Sequence, residues 1–283
     1  MIAMISPEPK DEGALQMPTP IEEYSEKNIQ FYSNSTWALI EQIAREHACH
    51  AQGFNLCDLG CGDGSIEFAL HSQGLLKRAE VVVGVDISPK RVERFEQLKE
   101  IGLRQIIGIV ADACSVEQVP NESFDLIICS QLIEHVRDDK ALVKETYRLL
   151  KRDGKAYISS VIRRWPGIWL YRNNAKWVLD PTHVYEYSSE HEFACLLKEN
   201  GLTPFKTKVT PCAFSVLDMV IRLLIKLRLV SPVKAVKARN LFLSNSFLRL
   251  LTTKLRFPIP GFYIVEVVCS RHQSYTGVPC ATT

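Results

Sequence analysis

Five runs of residues, FNLCDL (54–59), EVVVGVD (80–86), QIIGIVAD (105–112), FDLIICS (124–130) and KAYISSVI (155–162), are apolar almost throughout and are separated by segments with helical spacing. A strand without polar alternation is covered on both faces, so runs of this kind joined by helices call for a parallel sheet with helices on either side. Right-handed crossovers then wind that sheet in the open, doubly wound, Rossmann-like manner. The punctuation agrees. Gly74 stands just past a helix from about Ser65 to Gln73. Ser88-Pro89 supplies an N-cap and a first-turn proline for a helix stopping at Gly102, and a helix over 139–151 leads through Gly154 into the fifth strand.

On either side of this block the pattern changes. The first twenty residues hold four prolines and mixed charge, so residues 1–23 read as a flexible arm. Helical spacing runs from Tyr24 to Ala48, with Ile29, Trp37, Leu39, Ile40 and Ile43 as candidate buried positions. Beyond the fifth strand comes a less regular stretch with Trp165, Trp169, Tyr171 and Trp177. A helix follows from Ser189, with Glu192 three positions on as in a capping box and Gly201 at its end. PFKTKVT (204–210) and FYIVEVVC (262–269) complete a count of seven strands. One domain over 24–271 therefore carries an insertion at 211–261 and a tail at 272–283.

Charge is segregated within this chain. The total is +2, from 34 basic and 32 acidic side chains, which advertises no strong pull toward nucleic acid or membrane. Between Ala213 and Phe257, however, stand Arg222, Lys226, Arg228, Lys234, Lys237, Arg239, Arg249, Lys254 and Arg256 against Asp218 alone. In FSVLDMVIRLLIKLRLV (214–230), Asp218, Arg222 and Lys226 recur every four residues as one polar stripe on an apolar helix, and 245–257 is similar in character. Three readings stay open: a cap packed over a substrate entrance with solvated basic groups, a helix lying in a membrane interface, and a nucleic-acid surface. Aromatic side chains for base stacking are sparse there, which weighs against the third. Nine cysteines without a CxxC pair, several in buried runs, suit a reducing cytosol. The first residues lack a secretory pattern, so a cytoplasmic protein with peripheral membrane contact is expected.

The chemistry concentrates in CDLGCGDGS (57–65), where Gly60, Gly62 and Gly64 alternate with side chains directly after Asp58. A dinucleotide fingerprint would place its third glycine where Ser65 stands, so the spacing departs from that motif. Asp86 ends the second run and Asp112 the third, which brings three acids to the carboxyl ends of neighbouring strands, where open α/β sheets bind ligands. An acid after the second strand can accept both hydroxyls of a ribose. Asp112 can accept from an adenine amino group while the Ala113 amide donates to the ring, and Asp58 suits an ammonium group. The ligand so described has a ribose, a base and an amino acid, and no phosphate.

With these residues the chain resembles the class I S-adenosylmethionine-dependent methyltransferases. DLGCGDG is similar to their first motif, GVDIS to their ribose-binding motif and IVADAC to their adenine-binding motif, over 54–162 and more loosely to 271. The resemblance implies S-adenosylmethionine as cofactor, Ile87 packed on the adenine, the glycines admitting the methionine portion, and a reversed last strand after the insertion. It also points to the acceptor side. The segment CSQLIEHVRDD (129–139) lacks the Asn or Asp followed by two prolines of nucleobase amino-methylating enzymes. LIEHV looks like the corresponding segment of ubiquinone-biosynthesis O-methyltransferases, which implies a small-molecule hydroxyl, lipidic or glycosidic, as acceptor.

His135 is the first candidate base, with Glu134 and His183, from LDPTHVYEYS (179–188), behind it. On a helix, Glu134 and His135 would diverge by about 100° and need not share a target. His183 can pair with His135 across the pocket. Small-RNA 2′-O-methyltransferases resemble this fold and hold a metal with E-x-x-E-H plus a distant histidine. Here Gln131 replaces the first glutamate, so no metal is counted into the expected site, although three donors and water can hold a divalent ion. A metal-assisted RNA enzyme and a non-catalytic methyltransferase-like scaffold remain the alternatives.

Overall fold

A computed structural model describes residues 36–49, 52–173, 176–180, 182–231, 234 and 256–271. The expected arm at 1–23, Ile29, the tail at 272–283 and most of the second insertion helix lie outside the described residues. The chain runs α1 (Ala38–Cys49), β1 (Phe54–Leu59), α2 (Ser65–Ser72), β2 (Ala79–Asp86), α3 (Pro89–Glu96), a 3₁₀ turn (Gln97–Ile101) and β3 (Ile106–Val110). It continues through β4 (Phe124–Ser130), α4 (Asp139–Leu149), β5 (Leu150–Arg163), β6 (Tyr171–Asn173), β7 (Lys176–Val178), α5 (Glu190–Glu199), β8 (Leu202–Ser215), α6 (Val216–Lys226) and β9 (Arg256–Arg271).

Seven strands form one sheet in the order β3-β2-β1-β4-β5-β9-β8. Pairing is parallel from β3 to β5, and β9 is antiparallel to both of its neighbours. The sandwich follows directly from the continuous apolar runs. Leu56 and Val82 enter a core beneath α1, α2 and α3, while the adjacent Cys57 and Val83 enter a second core beneath α4 and α5. Order reverses between β1 and β4, so the loops after those two strands open a crevice at the carboxyl edge.

The last two strands are longer than expected. β8 and β9 stay paired as far as Ala213↔Pro258 and Ser215↔Arg256, so the insertion shrinks from 211–261 to 216–255. Pro211, Pro258 and Pro260 lie within the added lengths. β8 lies at the sheet edge and absorbs its prolines at irregularities between Pro204 and Lys206 and between Pro211 and Ala213. Arg256 and Phe257, assigned above to a helix, belong to β9.

Other boundaries move for local reasons. The helix expected over 139–151 ends at Leu149, because Leu150 is extended and already pairs with Phe124. The aromatic stretch contains the hairpin β6–β7, with the Arg172 guanidinium 4.2 Å above the Trp177 ring. Trp169 and Trp177 pack against a third cluster built on Val161, Leu179, Cys212, Ile259 and Phe262. Ser88 precedes α3 without capping it: Pro89 occupies the first turn, and the buried Ser88 hydroxyl has no hydrogen-bond partner. Glu192 does accept at the start of α5, but from the Ser188 amide at 2.7 Å, one residue before the cap serine. Among the described residues no helix is long and apolar enough to cross a membrane.

Candidate active site

At the end of β1 the chain turns sharply, and the Gly60 and Cys61 amides both bond to the Val85 carbonyl of β2, at 2.8 and 3.0 Å. Gly60, Gly62 and Gly64 all take positive φ, at 78°, 54° and 80°. Space as well as conformation demands glycine at two of them. A Cβ on Gly60 would sit 3.0 Å from both Leu132 methyl carbons, and one on Gly64 only 2.6 Å from Leu98 Cδ1.

Asp86 braces this loop. Its Oδ2 accepts from the Gly62 amide at 3.1 Å and its Oδ1 from the Ser88 amide at 2.9 Å. Each oxygen keeps a further lone pair, as a diol-accepting carboxylate requires. Burial raises its pKa, and the two amides counter that shift. Ile87, next in sequence, is 50% exposed, an apolar platform at the crevice edge. Asp112 lies two residues beyond β3, exposed in a loop, and its Oδ1 accepts from the Cys114 amide at 2.9 Å; Ala113 is buried.

Asp58 sits within β1, not at its end, and is fully buried. Burial and the nearby charge of Glu67, from the first turn of α2, raise its pKa. Sequence reasoning passed over Glu67, because an acid in a first helical turn reads as a solvated partner of the helix dipole. Asp63 is likewise drawn in, 3.4 Å from Arg94 of α3. The set of a glycine cradle, a braced acid, an exposed apolar residue and buried carboxylate oxygens without a donor fits a nucleoside that carries an amino acid.

The acceptor side begins where β4 ends. Gln131 takes a φ of 53° and turns the chain, while its amide side chain is held by Ser159 Oγ at 3.3 Å. Residues 131–138 form a turn; α4 starts after Asp138, as expected, and the Asp138 carboxylate caps the Ala141 amide at 2.9 Å. Glu134 and His135 therefore do not diverge. The Val184 amide bonds to the Glu134 carbonyl at 2.8 Å, which docks the 179–188 loop and brings His183 alongside. One ligating atom from each of Glu134, His135 and His183 lies within 4.8 Å of the others, and the two imidazoles meet edge to face at 4.9 Å.

Hydrogen bonds assign the tautomers. Thr182 Oγ1 donates its proton to Asp180 Oδ1 at 2.7 Å, so at 3.0 Å from His135 Nδ1 it can only accept. His183 Nδ1 faces the buried carboxylate of Glu186 at 2.7 Å, also an acceptor. His135 thus carries its proton on Nδ1 and its lone pair on Nε2, and His183 donates its Nδ1 proton to Glu186. Burial lowers the pKa of His135 to about 4, so the ring is neutral at physiological pH. Burial also raises Glu134 to about 7, although Ser160 donates to its Oε2 at 3.1 Å; its Oε1 has no partner.

Helix α6 does not leave its basic stripe wholly to solvent. Arg222 turns inward, 3.9 Å from Asp180 and 4.4 Å above the Phe214 ring, and Lys226 bonds to the Leu170 carbonyl. Val216, Val220, Leu223 and Leu227 face outward and are exposed.

The fold and the crevice define a class I S-adenosylmethionine-dependent methyltransferase domain. Residues 57–158 match the family described as "Methyltransferase domain". A ubiquinone biosynthesis O-methyltransferase of Pseudomonas putida (strain W619) is 33% identical over 116 residues, covering 39% of this chain and 46% of the relative. The enzyme of that name from Idiomarina loihiensis is 32% identical over 140 residues, covering 47% and 55%. The chain thus spans about half the length of the curated relatives it matches. Among solved structures, the YcgJ protein of Bacillus subtilis superposes with a TM-score of 0.54 at 19% identity, covering 82% of this chain and 98% of its own. The geranyl diphosphate C-methyltransferase of Streptomyces coelicolor A3(2) gives 0.51 at 16%, covering 83% and 77%. The [4+2]-cyclase SpnF gives 0.54 at 16%, covering 82% and 80%, so this fold alone does not dictate methyl transfer.

Proposed function

We propose that the protein transfers the methyl group of S-adenosylmethionine to a hydroxyl of a small molecule, lipidic or glycosidic, with His135 as general base. The observation that carries this reading is the neutral His135 imidazole, with its Nδ1 proton facing Thr182 and its lone pair on Nε2, packed edge to face against His183. The cofactor supplies an electrophilic methyl on a good leaving group. What the chain must add is alignment and a proton acceptor. His135 is half-buried and His183 fully buried, so His135 is the ring that meets the acceptor hydroxyl, while His183 and Glu134 set the charge around it. Asp58, the three glycines, Asp86, Ile87, Asp112 and Ala113 hold the cofactor in this reading. The O-methylation in the name of the ubiquinone-pathway relatives and the geranyl diphosphate bound by a fold neighbour support a hydroxylated or lipidic acceptor.

A second reading assigns Glu134, His135 and His183 to a divalent ion that would hold the acceptor oxygen. It is favoured by the convergence of one ring nitrogen from each histidine with a carboxylate oxygen of Glu134, whose Oε1 has no partner. Gln131, tied to Ser159, contributes no charge to such a site, which separates this chain from the metal-dependent RNA enzymes. We place the protein in the cytoplasm, where its free buried cysteines stay reduced. The outward apolar face of α6 beside a basic insertion is read as a contact with an anionic membrane surface. A labelled-methyl assay on fractionated cell extract tests the whole: label is expected in an extractable small molecule. Label in RNA alone, or none with any fraction, overturns the reading. Full activity in strong chelator removes the metal, and equal liposome flotation without residues 216–255 removes the membrane contact.

A further inference from the structure

Beneath the glycine loop lie Asp58 and Glu67, both essentially without solvent access. Asp58 Oδ1 and both Glu67 carboxylate oxygens are buried with no hydrogen-bond donor. The charged and titratable groups around them come from every adjoining element. Asp86 of β2 adds negative charge to Asp58; the thiols of Cys57 on β1, Cys61 in the loop and Cys129 on β4 are pushed far up and stay neutral. The Arg94 guanidinium of α3 is directed to Asp63, and the Arg91 charge acts on Asp86. Two carboxylates in contact at such burial do not both ionise: desolvation and mutual repulsion leave one proton between them. This also satisfies an oxygen that is otherwise orphaned.

An ammonium group changes that balance. It provides the donors and the positive charge that three buried oxygens lack, and it makes the doubly ionised pair the favoured state. We propose that Glu67 is a second acid in the recognition of the cofactor's α-amino group, and that Asp58 and Glu67 hold one shared proton in the empty site and lose it to solvent when the ammonium docks. The ammonium keeps its own protons, so the net change is one proton released per cofactor bound. Burial holds Glu67 at about 7, which sets the range in which the release is felt. The inference rests on the placement of the cofactor's amino acid portion at the glycine loop.

Calorimetric titration with S-adenosylhomocysteine in two buffers of different ionisation enthalpy measures the release directly. At pH 6 the heats are expected to differ by the equivalent of nearly one proton. Affinity is expected to rise about tenfold from pH 6 to pH 8, the slope of a single linked proton levelling off near neutrality. 5′-Methylthioadenosine, which keeps the adenosine and lacks the amino acid, should bind with buffer-independent heat. In Glu67→Gln the amide donates permanently to Asp58; S-adenosylhomocysteine should still bind, with a pH-flat affinity near the wild-type value at pH 6. Equal proton release with the two nucleosides, or an unchanged pH slope in Glu67→Gln, overturns the inference while the cofactor site stands. Binding of neither nucleoside overturns both.

Discussion

The two sides of the crevice use similar groups, buried carboxylates beside tight turns, but assemble them differently. The cofactor side comes from one continuous β-α-β segment, in which Asp58, the glycines and Asp86 follow each other at distances set by strand and turn lengths. The acceptor side joins His135 to Thr182, 47 residues away, and is held by backbone bonds from Val184 to Glu134. A continuous segment encodes its geometry in its spacing. A site built from distant segments depends on the loops that dock them. The first arrangement is suited to a constant ligand and the second to an acceptor that differs between members of a family.

The sharpest way to separate the two sides is His135→Ala. Turnover should fall by about 10³-fold, within the range for a lost general base, while S-adenosylhomocysteine affinity measured by calorimetry stays within about twofold. A matching loss of affinity would merge the two sides. Asp86→Ala should do the reverse and weaken cofactor binding by about 100-fold. It also lowers the melting temperature, since the Gly62 and Ser88 amides lose their acceptor at about 1–3 kcal/mol each. Retained affinity would detach Asp86 from the ribose.

Glu186→Gln probes a positioning residue that touches neither reactant. Turnover should drop by about tenfold with KM unchanged, and the pH–rate profile should shift, because the His183 tautomer loses its charged partner; Glu186→Asp should restore part of the rate. A stability change with no shift in the profile would reduce Glu186 to packing. The smallest effect is on stability against pH. Glu134 binds its proton more tightly folded than unfolded, so it stabilises the fold below its unfolded value near 4.5 and loses that contribution as pH rises to about 7. His135 acts with opposite sign: its depressed value removes stability as pH falls from 6.5 toward 4. Thermal melts of Glu134→Gln should therefore decline less between pH 5 and 8 than wild type, by a few degrees. An identical decline would remove Glu134 from the titration.

Much of the cofactor side was legible because its signals are local. Gly60 and Gly64 are needed for positive φ and for close neighbours, both consequences of a strand turning into a helix. Asp86 was legible as the last residue of an apolar run, though its role as brace of the loop was not. Glu67 was missed, since helical position does not report that a first-turn acid faces a strand carrying another acid. The divergence that Glu134 and His135 would show on a helix does not arise, because 131–138 is a turn, opened by Gln131 at positive φ with its amide held by Ser159. The added lengths of β8 and β9 contain prolines that an edge strand and the free end of its neighbour tolerate.

Hydrophobic period and turn chemistry determined the alternation of strand and helix, the parallel sheet and the place of the glycine cradle, because these depend on residues within a few positions of one another. Only the tertiary structure decided which carboxyls share a burial site, which nitrogen of His135 carries its proton, and what Arg222 of α6 touches. Those properties depend on desolvation and on partners brought from elsewhere in the chain. On α6 the ion pair with Asp180 and the Phe214 ring hold Arg222 inward against the ordinary preference of a charge for water.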